Sequence, residues 1–195
     1  MKKVMLKHSR ISEFLLVLAI MLLGVGCGKT SVQQNLYEKA LLGDWAYIHD
    51  LDTTQASFHE DGTAKFEGQK YTYTCDEEKI HLTDKKDATK DLRYVLNGEQ
   101  MVVYIPGTYT IQDDSKGEGI VGVWYCEEKK WTYEFTDKGT FMEDGALTGY
   151  YMVDEQAGTV KLVYGEALED TVFYYKLTED GLFIEYPWLM NKISE

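Results

Sequence analysis

Apolar and polar residues alternate along much of this chain in short runs, which is the period of a half-buried β-strand. Residues 131–135 (WTYEF) and 173–177 (FYYKL) place an apolar side chain at every second position. Turn signals interrupt such runs, among them residues 60–62 (EDG) and 137–139 (DKG). Their glycines suit the left-handed position of a three-residue hairpin. The pattern predicts an all-β protein of short antiparallel strands joined by hairpins.

The same pattern occurs twice. Residues 42–45 (LGDW) correspond to residues 121–124 (VGVW), and residues 73–77 (YTCDE) correspond to residues 151–155 (YMVDE). Further matches in the same order are Phe58 with Phe135, Leu82 with Leu162, Leu96 with Leu177 and Pro106 with Pro187. We predict two tandem antiparallel meanders, each of which hides its strand edges by curling into a small barrel.

The first segment of the chain reads as a targeting signal. Four basic residues among the first ten precede an apolar run over residues 14–25, which is shorter than the roughly 20 residues of a membrane span. Small residues lead directly into Cys27. This arrangement resembles the bacterial lipobox, in which the cysteine sulfur takes a diacylglycerol and becomes the mature N-terminus. The alternative is an ordinary signal peptide with an incidental cysteine.

These patterns divide the chain into five segments. They are a signal peptide over residues 1–26, a lipidated tether over 27–36, a first repeat over 37–109, a linker over 110–119 and a second repeat over 120–191. One or two helical turns are expected over residues 35–42. The expected location is the extracytoplasmic face of a cell membrane, where the lipid anchors the protein.

A family resemblance rests on the order G-x-W, aromatic residue, turn glycine, second aromatic residue, I-x-L (V-x-L in the second copy) and Y-x-L. It is carried by Gly43, Trp45, Phe58, Gly62, Tyr73, Ile80, Leu82, Tyr94 and Leu96, and by Gly122, Trp124, Phe135, Gly139, Tyr151, Val160, Leu162, Tyr175 and Leu177. The pattern resembles small lipocalin-like β domains, often in tandem, of Gram-positive surface lipoproteins. The resemblance implies lipocalin-like β-barrels with structural roles for Trp45 and Trp124, and it leaves the ligand open.

Charge narrows the range of partners. The chain has 20 Lys and Arg against 33 Asp and Glu, a net charge of −13. Residues 1–26 hold four of the bases and one of the acids, so the remainder is more acidic still, and Arg93 is its one arginine. Nucleic acid would be repelled, whereas cationic or neutral partners are favoured.

The sequence predicts no catalytic residue, no metal site and no cofactor. His49, His59 and His81 are not at metal-ligand spacing, and no serine lies in a G-x-S-x-G or S-x-x-K motif. Acidic residues are abundant, so a carboxylate pair for sugar hydrolysis is the enzymatic alternative.

Cys75 and Cys126 occur one in each copy, both at core-type positions. Two buried thiols in separate cores are one interpretation. A disulfide between the copies is the other, because an extracytoplasmic compartment permits it.

Trp131 and Trp188 are tryptophans that the repeat does not require, and both belong to the second copy. Exposed tryptophan suits sugar rings or peptide partners, whereas ordinary packing is the alternative. We expect the second copy to carry the binding surface.

The leading hypothesis is a non-enzymatic binding or interaction module for an unknown protein, peptide or glycan, held to the membrane by its N-terminal lipid. The alternatives are a cell-envelope hydrolase that uses surface carboxylates and a purely structural envelope scaffold. A cleft that collects acids from several strands would favour the hydrolase, and a flat aromatic patch would favour the interaction module.

Overall fold

The computed structural model describes residues 36–112, 115–166, 168–179 and 181–193, which excludes Cys27 and the whole predicted signal peptide. Residues 36–41 are helical, within the expected range. Fourteen strands follow in the described residues: β1 (Gly43–Tyr47), β2 (Asp50–Phe58), β3 (Thr63–Phe66), β4 (Gln69–Cys75), β5 (Lys79–Thr83), β6 (Thr89–Asn97), β7 (Gln100–Ile111), β8 (Gly122–Cys126), β9 (Trp131–Phe135), β10 (Thr140–Glu143), β11 (Leu147–Asp154), β12 (Thr159–Val163), β13 (Thr171–Leu177) and β14 (Leu182–Ile193). The all-β prediction is confirmed. Among the described residues, no helix has the length and apolar character needed to cross a membrane.

All strands belong to one antiparallel sheet that closes into a ring. Each strand pairs with the next one along the chain, and β14 returns to pair with β1. The expected hairpin turns occur, since Gly62 and Gly139 have φ values of +76° and +74°. Closing the ring leaves β1 and β14 without a free outer edge.

A long ladder between β7 and β14 crosses the ring. It contains ten residue pairs, from Leu182 opposite Tyr109 to Asn191 opposite Gln100. The first half of β7 also pairs with β6, and its last two residues pair with β8. Likewise, β14 pairs first with β13 and then with β1. The predicted linker therefore contributes its first two residues, Thr110 and Ile111, to β7.

The buried apolar side chains form two separate clusters. The first cluster consists of Leu41, Trp45, Ala56, Phe58, Ala64, Phe66, Tyr73, Cys75, Ile80, Leu82, Leu92, Tyr94, Met101, Val103, Ile105 and Met190. The second cluster consists of Tyr109, Ile120, Trp124, Cys126, Tyr133, Phe135, Phe141, Val160, Leu162, Tyr164, Phe173, Leu182 and Ile184. Met190 of β14 lies in the first cluster and Tyr109 of β7 in the second, so each long strand completes the cluster of the other half of the chain.

Both G-x-W glycines have a backbone conformation that side chains rarely adopt. Gly43 has φ +115° and Gly122 has φ +143°. A Cβ at Gly43 would lie 2.8 Å from Lys192 Cε of β14, and one at Gly122 would lie 2.5 Å from Ile111 Cδ1 of β7. Glycine is therefore required at these two points, where a long strand passes next to the start of β1 or β8.

No disulfide joins Cys75 and Cys126. Cys75 ends β4 in the first cluster and Cys126 ends β8 in the second, and both are buried free thiols. The two cysteines face different cores, so the interpretation as two separate buried thiols describes the structure. Burial raises the pKa of the Cys75 thiol to about 11, which keeps it protonated at neutral pH.

Candidate functional site: an aromatic and acidic cleft

A cleft of about 840 Å³ is lined by the middle of the β7–β14 ladder. Its walls also include the turn between β1 and β2, the turn between β8 and β9, and the loop before β13. This volume lies within the range of sites that take small organic ligands, roughly 300–1,000 Å³. The cleft is therefore large enough for a ligand of several functional groups.

The structure brings the two predicted contact residues, Trp131 and Trp188, together in this cleft. Trp131 begins β9, Trp188 lies in β14, and both are half-buried. The ring of Tyr47, from β1, lies 6.0 Å from the ring of Trp188. Two of the residues selected from the sequence thus line one cleft.

The cleft is not confined to the second half of the chain, which was expected to carry the binding surface. Tyr47 and His49 of the first half line the same cleft. Trp188 itself packs against the first cluster. The reason is the β7–β14 ladder, because β14 leaves the second half of the chain and pairs with β1 of the first.

Glu143 is a buried acid at the cleft, and sequence reasoning missed it. Its side chain lies at the end of β10, and the residue is only 3% exposed. Oε1 accepts hydrogen bonds from Trp131 Nε1 at 3.1 Å and from the Tyr133 hydroxyl at 2.8 Å. Oε2 accepts one from the Tyr164 hydroxyl at 2.5 Å. These three hydrogen bonds compensate the carboxylate for lost hydration. The one from Trp131 also fixes the orientation of its indole ring.

A sequence signal for Glu143 existed. In β10 (TFME) the inward positions of the alternating pattern are Phe141 and Glu143, and both are buried. The corresponding segment of the first half, β3 (TAKF), ends in Phe66, which is fully buried. An acid at a core position of one half of the chain, where the other half has phenylalanine, marks a departure from simple packing.

Several tyrosines surround Glu143. Burial, followed by the negative charge of Glu143, raises the pKa of Tyr133 well above 10. The same two causes, in the same order, raise the pKa of Tyr47 and of Tyr186. Burial and the hydrogen bond to Glu143 raise the pKa of Tyr164. All four hydroxyls therefore remain protonated at neutral pH and can act as hydrogen-bond donors.

These raised pKa values predict unfolding at alkaline pH. A group whose pKa is higher in the folded state stabilises that state below its unfolded pKa, about 10 for tyrosine, and this contribution is lost as the pH rises further. Tyrosinate absorbance at 295 nm should rise near pH 10 for the protein in guanidinium. In the native protein, the rise in absorbance that is due to Tyr133 and Tyr164 should appear only together with loss of the β-sheet circular dichroism. Full ionisation with an intact spectrum would contradict this prediction.

Acidic side chains surround the cleft mouth. Glu67 pairs with Lys90 at 3.5 Å, and Asp170 pairs with Lys161 at 2.7 Å. Asp50, Glu128 and Glu169 also line the cleft and are exposed, and no ion pair within the described residues neutralises them. Lys129 is the one lysine in the lining. The cleft therefore carries a net negative charge.

In the described ranges, no group of three His, Cys, Asp or Glu side chains is arranged to hold a metal ion.

Comparison with known proteins finds no family model, no curated protein and no solved structure that matches the chain. Aromatic rings provide flat apolar contact surfaces, and the exposed carboxylates attract positive charge.

Proposed function

We propose that this chain is a lipid-anchored extracytoplasmic protein that binds a small ligand in the cleft without chemical conversion. The observation that carries the proposal is the meeting of Trp131, Trp188 and Tyr47 in one cleft of about 840 Å³. Glu143 holds the indole of Trp131 in a fixed orientation. A surface organised before binding loses less side-chain entropy when a ligand arrives, which favours affinity.

We also propose that the two halves are lipocalin-like repeats that share β7 and β14. Trp45 pairs with Lys192 in the sheet, and Trp124 pairs with Ile111. Lys192 and Ile111 are 81 residues apart, which is the offset between the prolines Pro106 and Pro187. The ladder also pairs Ile105 with Tyr186, residues at the same offset. Pairing of equivalent residues is what a two-fold relation between two repeats produces.

A second candidate function is a cell-envelope hydrolase. It is favoured by one observation, that carboxylates from several elements line the same cleft. The best-placed of them, Glu143, already accepts three protein hydrogen bonds, which suits an orienting role better than proton transfer. Incubation with envelope glycans and peptides, followed by mass spectrometry, separates the two functions. Turnover that disappears in a Glu169→Gln or Asp50→Asn variant would favour the hydrolase.

Binding in the cleft predicts a specific effect of Trp188→Ala. A thermal-shift screen of soluble metabolites, glycans and peptides should yield ligands whose affinity, measured by calorimetry, falls at least tenfold in this variant, because an aromatic contact is lost. The matched control is Tyr150→Ala, since Tyr150 is 66% exposed on β11 and lies outside the cleft lining. Equal affinities for the Trp188→Ala variant and the wild type would refute the cleft as the binding site.

Lipidation is tested separately. Cells that express the protein and are given a radioactive fatty acid should label it, and Cys27→Ser should abolish the label, because the cysteine sulfur carries the lipid. Cys126→Ala is the control and should retain the label, since that thiol is buried. Persistence of the label in the Cys27→Ser protein would disprove the anchor.

A further inference from the structure

We propose that the ligand of the cleft is a small organic cation that carries an ammonium group. This inference rests on the proposed binding function and adds the chemical class of the ligand. It follows from three features of the cleft: its charge, its aromatic rings and the state of its hydrogen-bond donors.

The charge of the lining favours a cation. Six carboxylates line the cleft against one lysine, Lys129. Asp50, Glu128 and Glu169 lie on three different elements around the mouth and form no ion pair within the described part of the chain. A cleft with one sign of charge and low-dielectric walls concentrates ions of the opposite sign. The net charge of the whole chain, −13, acts in the same direction.

The aromatic lining favours an ammonium group in particular. The face of a tryptophan or tyrosine ring attracts a cation within about 6 Å, by roughly 0.5–2 kcal/mol. The protein makes this contact with its own side chains, since Arg93 Cζ lies 4.8 Å from the ring centre of Tyr174 and Lys192 Nζ lies 5.5 Å from that of Trp45. Trp131 and Trp188 are half-buried in the cleft, and the cation–ring contacts found among the described residues involve Phe66, Tyr174 and Trp45 instead.

Three hydrogen-bond donors of the cleft are already engaged by Glu143. Trp131 Nε1 and the hydroxyls of Tyr133 and Tyr164 all donate to Glu143. An anionic ligand would meet Lys129 as the one permanent cation of the lining. A neutral polyol needs donors as well as acceptors, and these three donors are already used. Exposed carboxylates and the half-buried rings of Trp131 and Trp188 line the same cleft, and both kinds of group recognise ammonium.

The test compares two ligands that differ in charge and little else. 2-Phenylethylamine is a cation at pH 7, and 2-phenylethanol is its neutral analogue. Calorimetry uses the protein produced from residue 28 onward, which contains every described strand. We expect the amine to bind at least tenfold more tightly than the alcohol in 20 mM salt. The difference should shrink in 0.5 M NaCl, because salt screens exposed charges.

A variant pair separates local charge from total charge. The cleft triple variant Asp50→Asn, Glu128→Gln, Glu169→Gln should reduce the affinity for the amine at least fivefold and leave that for the alcohol unchanged. The control triple variant Asp87→Asn, Asp137→Asn, Glu155→Gln makes the same change in net charge at exposed sites outside the lining. It should retain most of the preference for the amine.

Three results would overturn the cation assignment. Equal affinity for amine and alcohol would do so while leaving the binding function in place. Equal losses in the two triple variants would show that total charge, and not the cleft, attracts the amine. Binding of neither compound would also reject the assignment, and the thermal-shift screen with Trp188→Ala would then decide the binding function independently.

Discussion

Glu143→Ala should lower the free energy of unfolding by about 3–5 kcal/mol, because removing one side of a buried charged network leaves its partners unsatisfied. In the native protein, the indole N–H of Trp131 and the hydroxyls of Tyr133 and Tyr164 all donate to the carboxylate. The variant leaves these three donors without their acceptor. Urea unfolding followed by circular dichroism measures the loss. Glu155→Ala is the control, since this glutamate is exposed in a turn and its loss should change stability by less than about 0.5 kcal/mol.

Glu143→Gln refines the same prediction. The amide retains one oxygen acceptor but turns a nitrogen donor toward a hydroxyl or indole that also donates. We expect a loss smaller than that of the alanine variant and clearly above that of the Glu155→Ala control. A change below about 1 kcal/mol in Glu143→Ala would mean that the carboxylate does not organise the wall of the cleft.

Trp45→Ala and Trp124→Ala should each lower the free energy of unfolding by about 3–5 kcal/mol, the range for a large aromatic side chain removed from a core. Trp45 is 0% and Trp124 is 1% exposed. Each indole N–H donates to a backbone oxygen four residues earlier, that of Leu41 or of Ile120, at 2.8 Å. The variants therefore lose a hydrogen bond as well as packing.

The comparison between the two tryptophan variants is as informative as either value. If the halves are repeats, both variants should lose similar stability in denaturant melts. Trp188→Ala should lose less than either one, because Trp188 is only half-buried. A negligible loss in Trp45→Ala or in Trp124→Ala would show that the two G-x-W positions are not equivalent.

Local structure could be predicted from the sequence, because its causes are local. Alternation identified strands such as β9 and β13, and the turn glycines Gly62 and Gly139 have the expected left-handed conformation. The pairing of β7 with β14 could not be predicted. Buried residues alternate along most of β7, which determines the face of each side chain but not its partner strand. This pairing depends on the closure of the whole sheet.

The candidate site was partly predictable for the same reason. Trp131 and Trp188 stood out because the first half of the chain has no tryptophan at the matching positions, and both line the cleft. Tyr47 could not be placed beside Trp188 without the pairing of β1 with β14. Glu143 was missed because the many acids of the chain make each one uninformative until its neighbours show that it faces the core.

The most direct test of cleft binding uses the four indole N–H signals of the protein in a ¹H–¹⁵N spectrum. A library of soluble fragments is added to the labelled protein, and each signal is assigned by a single tryptophan substitution. Ligands of the cleft should shift the signals of Trp131 and Trp188 and leave those of Trp45 and Trp124, which lie in the two clusters, in place. Fragments that bind while the Trp131 and Trp188 signals stay unchanged would contradict the proposed site.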